Sequence, residues 1–117
     1  MLDTTELIHA IRGRSGFDEG SISIMTLIEV LRGIEDEDKR EKTMDLLQDA
    51  FEILDVNRDV AQAYLKLHFE LKRKGESSSD ADQLIAATAL SRGEMLLTSD
   101  KGFLRFSPLV KVRLATR

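Results

Sequence analysis

The sequence has no cysteine, no tryptophan, one proline and two histidines among its 117 residues. Without cysteine, disulfides, thiolate zinc sites, iron–sulfur clusters and a cysteine nucleophile are all excluded. No apolar run approaches the roughly 20 residues that a membrane span needs, and Met1 is not followed by the basic and apolar segments of a signal peptide. We therefore expect a cytoplasmic protein that does not enter the membrane.

An excess of positive charge is also lacking. Asp and Glu number 21 against 17 Lys and Arg, which gives a formal net charge of −4 and argues against non-specific binding of nucleic acid through the overall charge. Hydrophobic residues at 42% and charged residues at 32% are typical of a globular rather than a disordered chain. At this length we expect a single domain, residues 1–117, with one core.

Helical and strand patterns alternate along the chain, which is typical of an α/β domain with a mostly parallel sheet. The predicted strands are short and comprise residues 1–3, 21–24, 52–56, 95–98 and 109–114. Apolar spacing predicts helices at residues 4–12, 26–32, 57–74 and 84–90, and a further helix from the charged run 35–41 to Phe51. A short helical turn is predicted at residues 101–106. Three glycines mark a loop after the first helix: Gly13, Gly16 and Gly20.

Four carboxylates occupy comparable positions in this scheme, at the junctions between predicted strands and helices: Asp3, Glu29, Asp82 and Asp100. The carboxyl ends of parallel strands form one edge of a sheet, and ligands bind in the crevice there. Each acid also has an alternative role as a helix cap, since Asp3, for example, precedes Glu6 at capping-box spacing. Capping does not explain why Glu29 and Asp82 stand in apolar sequence, where an unpaired carboxylate costs several kcal/mol.

If these acids converge, their mutual repulsion raises their pKa values or demands a counter-ion. Oxygen ligands without cysteine or a nearby histidine suit a hard cation, Mg²⁺ or Mn²⁺, better than zinc. Such an ion orients water and shields the charge that builds on a phosphodiester during in-line attack. The residues alone therefore predict a candidate divalent-metal site for phosphate chemistry.

Four segments carry a resemblance to a known family through their order and spacing over about 100 residues. They are Leu2-Asp3-Thr4, the stretch 24–33 around Glu29, the stretch 82–89 that begins Asp82-Gln83, and Thr98-Ser99-Asp100 with the three residues after it. In these segments the chain resembles the PIN-domain nucleases, in particular the VapC-like ribonuclease toxins of type II toxin–antitoxin pairs. The resemblance implies a three-layer α/β/α domain with a small, mostly parallel central sheet.

The resemblance also implies an activity, endoribonuclease cleavage by an activated water with Mg²⁺ or Mn²⁺. Carried over position by position, it makes Asp3, Glu29 and Asp82 metal ligands and Asp100 a ligand directly or through water. Thr98 would position Asp100 or a bound water, and these five residues would form the catalytic set. Thr4 would support the metal ligands without touching the metal. The implied partners are an RNA substrate and an antitoxin protein.

Basic and apolar residues outside the motifs have two interpretations each. Five basic residues are candidates for RNA binding: Arg12, Arg14, Arg32, Lys72 and Arg73. Lys72 and Arg73, with Lys74, more simply complement the negative end of their helix. Apolar residues of the first two helices exceed what a small sheet requires, and could form a homodimer or receive an antitoxin helix: Leu7, Ile8, Leu27, Val30 and Leu31.

Two other classes of function stay open. The chain could be a non-catalytic PIN-like module that binds RNA or protein, with the acids serving as caps or partner contacts. It could also be a structural or regulatory subunit in which the exposed apolar helices bind a partner. A response-regulator receiver likewise gathers acids at strand ends, but its acidic pair after the first strand and its late lysine are not evident here.

Overall fold

The computed structural model describes residues 1–13 and 20–115. Helices and strands alternate in the order α1 (Thr4–Ile11), β1 (Gly20–Ser23), α2 (Ile24–Leu31), α3 (Glu37–Ala50), β2 (Phe51–Leu54), α4 (Arg58–Arg73), α5 (Asp80–Arg92), β3 (Leu96–Thr98), a 3₁₀ helix (Lys101–Phe106) and β4 (Val112–Leu114). None of the helices in these two ranges combines the length and the apolarity that crossing a bilayer takes. The alternation expected from the sequence is confirmed.

The sheet is built from two parallel pairs that a single residue joins. Strand β1 pairs with β2, and β3 pairs with β4. Leu2 lies between the pairs and forms parallel bridges with Ile22 and Leu97. The Leu2 N–H donates to the Ser21 carbonyl at 2.9 Å, and the Asp3 N–H donates to the Leu97 carbonyl at 3.0 Å. The strand predicted at residues 1–3 is therefore one bridging residue, fixed from both sides, and it delivers Asp3 to the end of the sheet.

Helices cover both faces of this sheet. Successive residues of a strand point to opposite faces, and Leu96 and Leu97 accordingly belong to different clusters of buried side chains. Leu97 packs with side chains from α1, α2 and α3, and Leu96 packs with side chains from α4, α5 and the 3₁₀ helix. The three-layer arrangement is confirmed, and so is the burial expected for the apolar helix α5, in which residues 85–89 are all buried.

Serine caps explain two boundaries that the sequence patterns misplaced. The Ser23 side chain accepts from the Thr26 N–H, so α2 begins at Ile24, which we had assigned to the strand. Ser79 accepts from the Asp82 N–H in the same way, so α5 begins at Asp80, four residues before the apolar run at Leu84. A hydroxyl that satisfies a free N–H stabilises the first turn even where the sequence there is polar. Asp82 consequently lies within the first turn of α5.

Three further expectations need correction. Strand β2 occupies Phe51–Leu54 rather than 52–56, and β4 is limited to Val112–Leu114, since Leu109 and Val110 lie in a turn after Pro108. Leu7 and Leu27 are core residues and not an interaction surface. Of the loop glycines, Gly16 lies outside the described residues.

The central position of Leu2 makes it a sensitive site for stability. Leu2 is 4% exposed, so Leu2→Ala removes apolar contacts from both halves of the sheet. We expect the free energy of unfolding to fall by about 2–4 kcal/mol, the usual cost of truncating a buried leucine. Urea unfolding followed by circular dichroism measures this change. The control Leu46→Ala, at a leucine 61% exposed, should change stability by less than about 0.5 kcal/mol; equal losses in the two variants would contradict the assignment.

Candidate active site

Asp3 is a buried carboxylate at the carboxyl edge of the sheet. It is 1% exposed and caps α1, where its Oδ1 accepts from the Glu6 N–H at 2.9 Å. Its Oδ2 accepts a hydrogen bond from the Thr98 hydroxyl. Burial raises the pKa of the Asp3 carboxyl to about 6, and the negative charges of Glu6 and Asp100 add to the rise, while the two hydrogen bonds oppose it. The fold therefore holds the Asp3 carboxyl in place and disfavours its ionised form.

Thr98 connects Asp3 to Asp100. Its hydroxyl donates to Asp3 and accepts from the Asp100 N–H at 2.9 Å. Asp100 in turn caps the 3₁₀ helix, because its Oδ1 accepts from the Gly102 N–H at 2.8 Å. One buried threonine hydroxyl thus fixes the position of one carboxylate directly and of the other through the main chain.

Glu29 is fixed by a second set of hydroxyls. The Thr4 hydroxyl lies 2.6 Å from Glu29 Oε1 and donates to it. Thr26, whose hydroxyl lies 3.3 Å from that of Thr4, is itself held at the N-terminus of α2 by Ser23. The other Glu29 oxygen is 3.5 Å from the Arg32 guanidinium, and the Glu29 side chain is 19% exposed. Thr4 therefore ties α1, next to Asp3, to the acid of α2.

Asp82 connects the two groups electrostatically. Partial burial raises the pKa of its carboxyl, and the negative charges of Glu29 and Asp100 raise it further. The Ser79 hydroxyl and the positive charge of Arg105 act in the opposite direction. Together with the repulsion between Asp3 and Asp100, this links the four predicted acids to one another at a single edge of the sheet, although they come from distant parts of the chain.

The donor set fits a hard divalent cation. The edge offers carboxylate and hydroxyl oxygens. Burial and neighbouring negative charges raise the pKa values of Asp3 and Asp82, and at Asp82 the positive charge of Arg105 offsets this rise only in part. Within residues 1–13 and 20–115, however, no three acidic or histidine side chains stand close enough to hold one ion as they are oriented. Each of Asp3, Glu29 and Asp100 is instead hydrogen-bonded to a protein donor. Ion binding at this edge requires their carboxylates to turn toward a common point.

Comparison with known proteins assigns the family. Residues 1–107 match the family model of the PIN domain. The chain belongs to the PIN-domain family. It is 33% identical over 103 residues to Ribonuclease VapC1 of Methanocaldococcus jannaschii, a match that spans 86% of this chain and 75% of that protein.

Solved structures agree with this assignment. DNA-bound VapBC from Salmonella typhimurium superposes with a TM-score of 0.83 and 26% identity, over 97% of this chain and 95% of that one. VapBC-5 from Mycobacterium tuberculosis, a member of the VapBC family of toxin–antitoxin systems, superposes with a TM-score of 0.65 and 26% identity, over 80% of this chain and 79% of that one. The resemblance drawn from the sequence motifs is confirmed.

The predicted basic residues of this PIN domain lie at different distances from the acids. Arg32 reaches Glu29, whereas Arg12 follows the last turn of α1, about 14 Å along the helix from Asp3. Lys72 and Arg73 stand in the last turn of α4, where Arg73 pairs with Glu70. Arg14 lies outside the described residues. Their proposed contact with RNA stays a prediction.

Two side chains of the edge escaped the sequence analysis. Glu6 is fully buried beside Asp3, and the Ser99 hydroxyl donates to its Oε2 at 2.6 Å. The sequence pattern assigns Glu6 only to a capping box, and its position three residues after Asp3 is the signal that could have placed it at the edge. Nothing in the sequence position of Arg105 indicates that its side chain turns back toward Asp82 and Asp100.

The capping and ligand roles of the acids are compatible. Asp3 and Asp100 are helix caps, which the sequence offered as an alternative role, and they also lie at the shared edge. Ser23 and Ser79 cap the helices of Glu29 and Asp82, whose carboxylates are thereby left out of the capping positions. Capping therefore explains the positions of two of the four acids. It does not explain why all four lie at the same edge of the sheet.

Burial of the Asp3 carboxyl makes stability depend on pH. An unfolded chain releases this proton near pH 3.8 and the folded chain near pH 6. Between these values the folded state binds more protons, so stability falls as the pH rises, by about 3 kcal/mol once the pH exceeds 6. Asn cannot ionise and keeps an oxygen for the cap. We expect Asp3→Asn to exceed the wild type in free energy of unfolding at pH 7, by about 1–3 kcal/mol.

Urea unfolding in a metal chelator, at intervals from pH 4 to pH 7.5, measures this difference. It should be small at pH 4 and grow toward pH 6. Asp36→Asn is the matched control, since Asp36 is an exposed cap of α3 and should show no such growth. A stability difference between Asp3→Asn and the wild type that does not change with pH would refute the account of Asp3.

Proposed function

We propose that this PIN domain is a divalent-metal-dependent endoribonuclease and the toxin of a toxin–antitoxin pair. Asp3, Glu29, Asp82 and Asp100 would hold Mg²⁺ or Mn²⁺ at the carboxyl edge of the sheet. The observation that carries the proposal is the electrostatic linkage of these acids around two threonine hydroxyls, Thr98 and Thr4. A relative with ribonuclease in its name supports RNA as the substrate.

The side chains of the edge have distinct tasks in this proposal. When bound, a divalent ion supplies Lewis acidity and positive charge for in-line hydrolysis of a phosphodiester. Thr98 keeps Asp3 and Asp100 at a fixed separation, and Thr4 keeps Glu29 beside α1. Asp82 stands in the first turn of α5, where the negative charges of both Glu29 and Asp100 act on its carboxyl group. Positions fixed in advance by packed hydrogen bonds reduce the reorganisation that the reaction requires.

The antitoxin is proposed to bind apolar side chains of the layer formed by α1, α2 and α3. Ile11, Ile28 and Leu46 each expose 44% or more of their surface, one on each of these helices. An amphipathic helix laid against such side chains is a common mode of recognition. The toxin would also form a homodimer, and action on RNA would place it in the cytoplasm.

An alternative is a non-catalytic PIN-like module that binds RNA or a protein. It is favoured by the capping bonds of Asp3 and Asp100 and by the spacing of the acids, which do not surround one point as oriented. A wild-type chain that binds single-stranded RNA but leaves it intact in both Mg²⁺ and Mn²⁺ would decide for this alternative.

The nuclease proposal predicts that Asp82→Asn abolishes cleavage while the fold persists. The substitution keeps the size of the side chain and removes one of the proposed ligand charges, so kcat should fall at least about 100-fold. Cleavage of a fluorescently labelled single-stranded RNA in Mg²⁺ and in Mn²⁺ measures kcat, and circular dichroism checks the fold.

Asp80→Asn provides a matched control on the same helical turn. The Asp80 carboxylate accepts from the Tyr64 hydroxyl of α4 at 2.6 Å, and its variant should cleave RNA within about twofold of the wild type. Wild-type activity in Asp82→Asn would show that Asp82 is not part of the active site.

A further inference from the structure

A guanidinium lies at the rim of the acidic edge. Arg105 belongs to the 3₁₀ helix that Asp100 caps. An ideal Cβ on Gly102 would stand 3.0 Å from Asp100 Oδ1 and 3.3 Å from Arg105 Nη2. The carboxylate and the guanidinium therefore face each other across the glycine, and Gly102 leaves room for both. The effect of Arg105 on the pKa of Asp82 shows that it is also near that acid.

The Arg105 side chain is held in this orientation by its own backbone surroundings. Its Nε donates to the Gly102 carbonyl at 2.7 Å, and its Nη1 donates to the carbonyl of Ser77, which precedes α5. The Lys74 ammonium donates to the Arg105 carbonyl at 3.0 Å, which fixes the main chain as well. Arg105 thus links the 3₁₀ helix to the segment that leads to Asp82.

The third nitrogen of the Arg105 guanidinium, Nη2, takes no part in these main-chain contacts. Within the part of the chain that the structure describes, Nη2 makes neither a hydrogen bond nor an ion pair. A structural link between Ser77 and Gly102 uses Nε and Nη1, and it does not require a third nitrogen that faces an acidic rim. Guanidinium N–H groups are well suited to phosphate oxygens, because they donate charge-assisted hydrogen bonds in a fixed plane.

The substrate proposed above meets an electrostatic obstacle at this edge. A phosphodiester carries one negative charge, and four carboxylates repel it wherever their charge is not balanced. We propose that Arg105 binds a non-bridging phosphate oxygen of the RNA, next to the bond that is cleaved, through its Nη2. This inference rests on the proposed function and assigns the backbone phosphate contact to a residue absent from the basic residues selected by sequence.

Steady-state cleavage of a short single-stranded RNA in Mn²⁺ tests this assignment with three variants. For Arg105→Gln we expect kcat/KM to fall about 10- to 100-fold, mainly through KM, as for loss of a hydrogen bond to a charged group. The slope of log(1/KM) against log salt should become shallower by about 0.7, because one phosphate contact to a single strand is lost.

Arg105→Lys separates the phosphate contact from the structural link. Lysine cannot make both main-chain bonds but keeps the charge that the phosphate needs. Its kcat/KM should therefore lie clearly above that of Arg105→Gln, and its salt slope should match that of the wild type. Arg92→Gln removes the same charge about 15 Å away along α5 from Asp82, at the last residue of that helix. It should leave kcat/KM and the salt slope unchanged.

The outcomes distinguish this inference from the proposed function. Arg105→Gln with a wild-type kcat/KM and salt slope overturns the phosphate contact and leaves the nuclease intact. A loss of activity that Lys does not restore, with an unchanged salt slope, shows that Arg105 only stabilises the 3₁₀ helix and also overturns the contact. A wild-type chain that cleaves no RNA overturns both proposals.

Discussion

Negative charge gathered at one edge of a small parallel sheet is the constraint on which the rest of this structure depends. Asp3 is buried there, close enough to Asp100 and Glu6 for their charges to oppose its ionisation. Three of the acids lie at helix N-termini, which carry partial positive charge. Asp3 caps α1, Asp82 lies in the first turn of α5, and Asp100 caps the 3₁₀ helix. These dipoles and the threonine hydroxyls offset part of the repulsion. A divalent ion would relieve the remainder, which is why the cost of ionising Asp3 favours a metal site over a purely structural cap.

Hydroxyl groups orient three of the carboxylates at this edge. Thr98, Thr4 and Ser99 donate to Asp3, Glu29 and Glu6 respectively. A hydroxyl fixes the direction of a carboxylate but adds no charge, so the carboxylate keeps its attraction for an ion. Arg32 and Arg105 stand at the outside of the group, where Arg32 approaches Glu29 at 3.5 Å. This separation of tasks is consistent with a site that binds a cation inside and a polyanion at its rim.

Much of this arrangement could be predicted from the sequence, because periodicity and order along the chain determine which residues reach the carboxyl edge. The alternation of elements was enough to bring Asp3, Glu29, Asp82 and Asp100 to that edge. The start of α5 was misplaced because a serine cap, not apolar spacing, determines it. The roles of Glu6 and Arg105 could not be predicted, because each depends on how a side chain turns back across a tight turn, and sequence distance does not encode that direction.

Anomalous X-ray diffraction from a crystal soaked in Mn²⁺ tests the central claim most directly. The account predicts a peak at the carboxyl edge, about 2–2.5 Å from carboxylate oxygens of Asp3 and of at least one of Glu29, Asp82 and Asp100, the range expected for hard cations with oxygen ligands. It also predicts that these side chains turn toward the peak. Saturating Mn²⁺ that produces no peak there, or a peak bound elsewhere on the molecule, would contradict it.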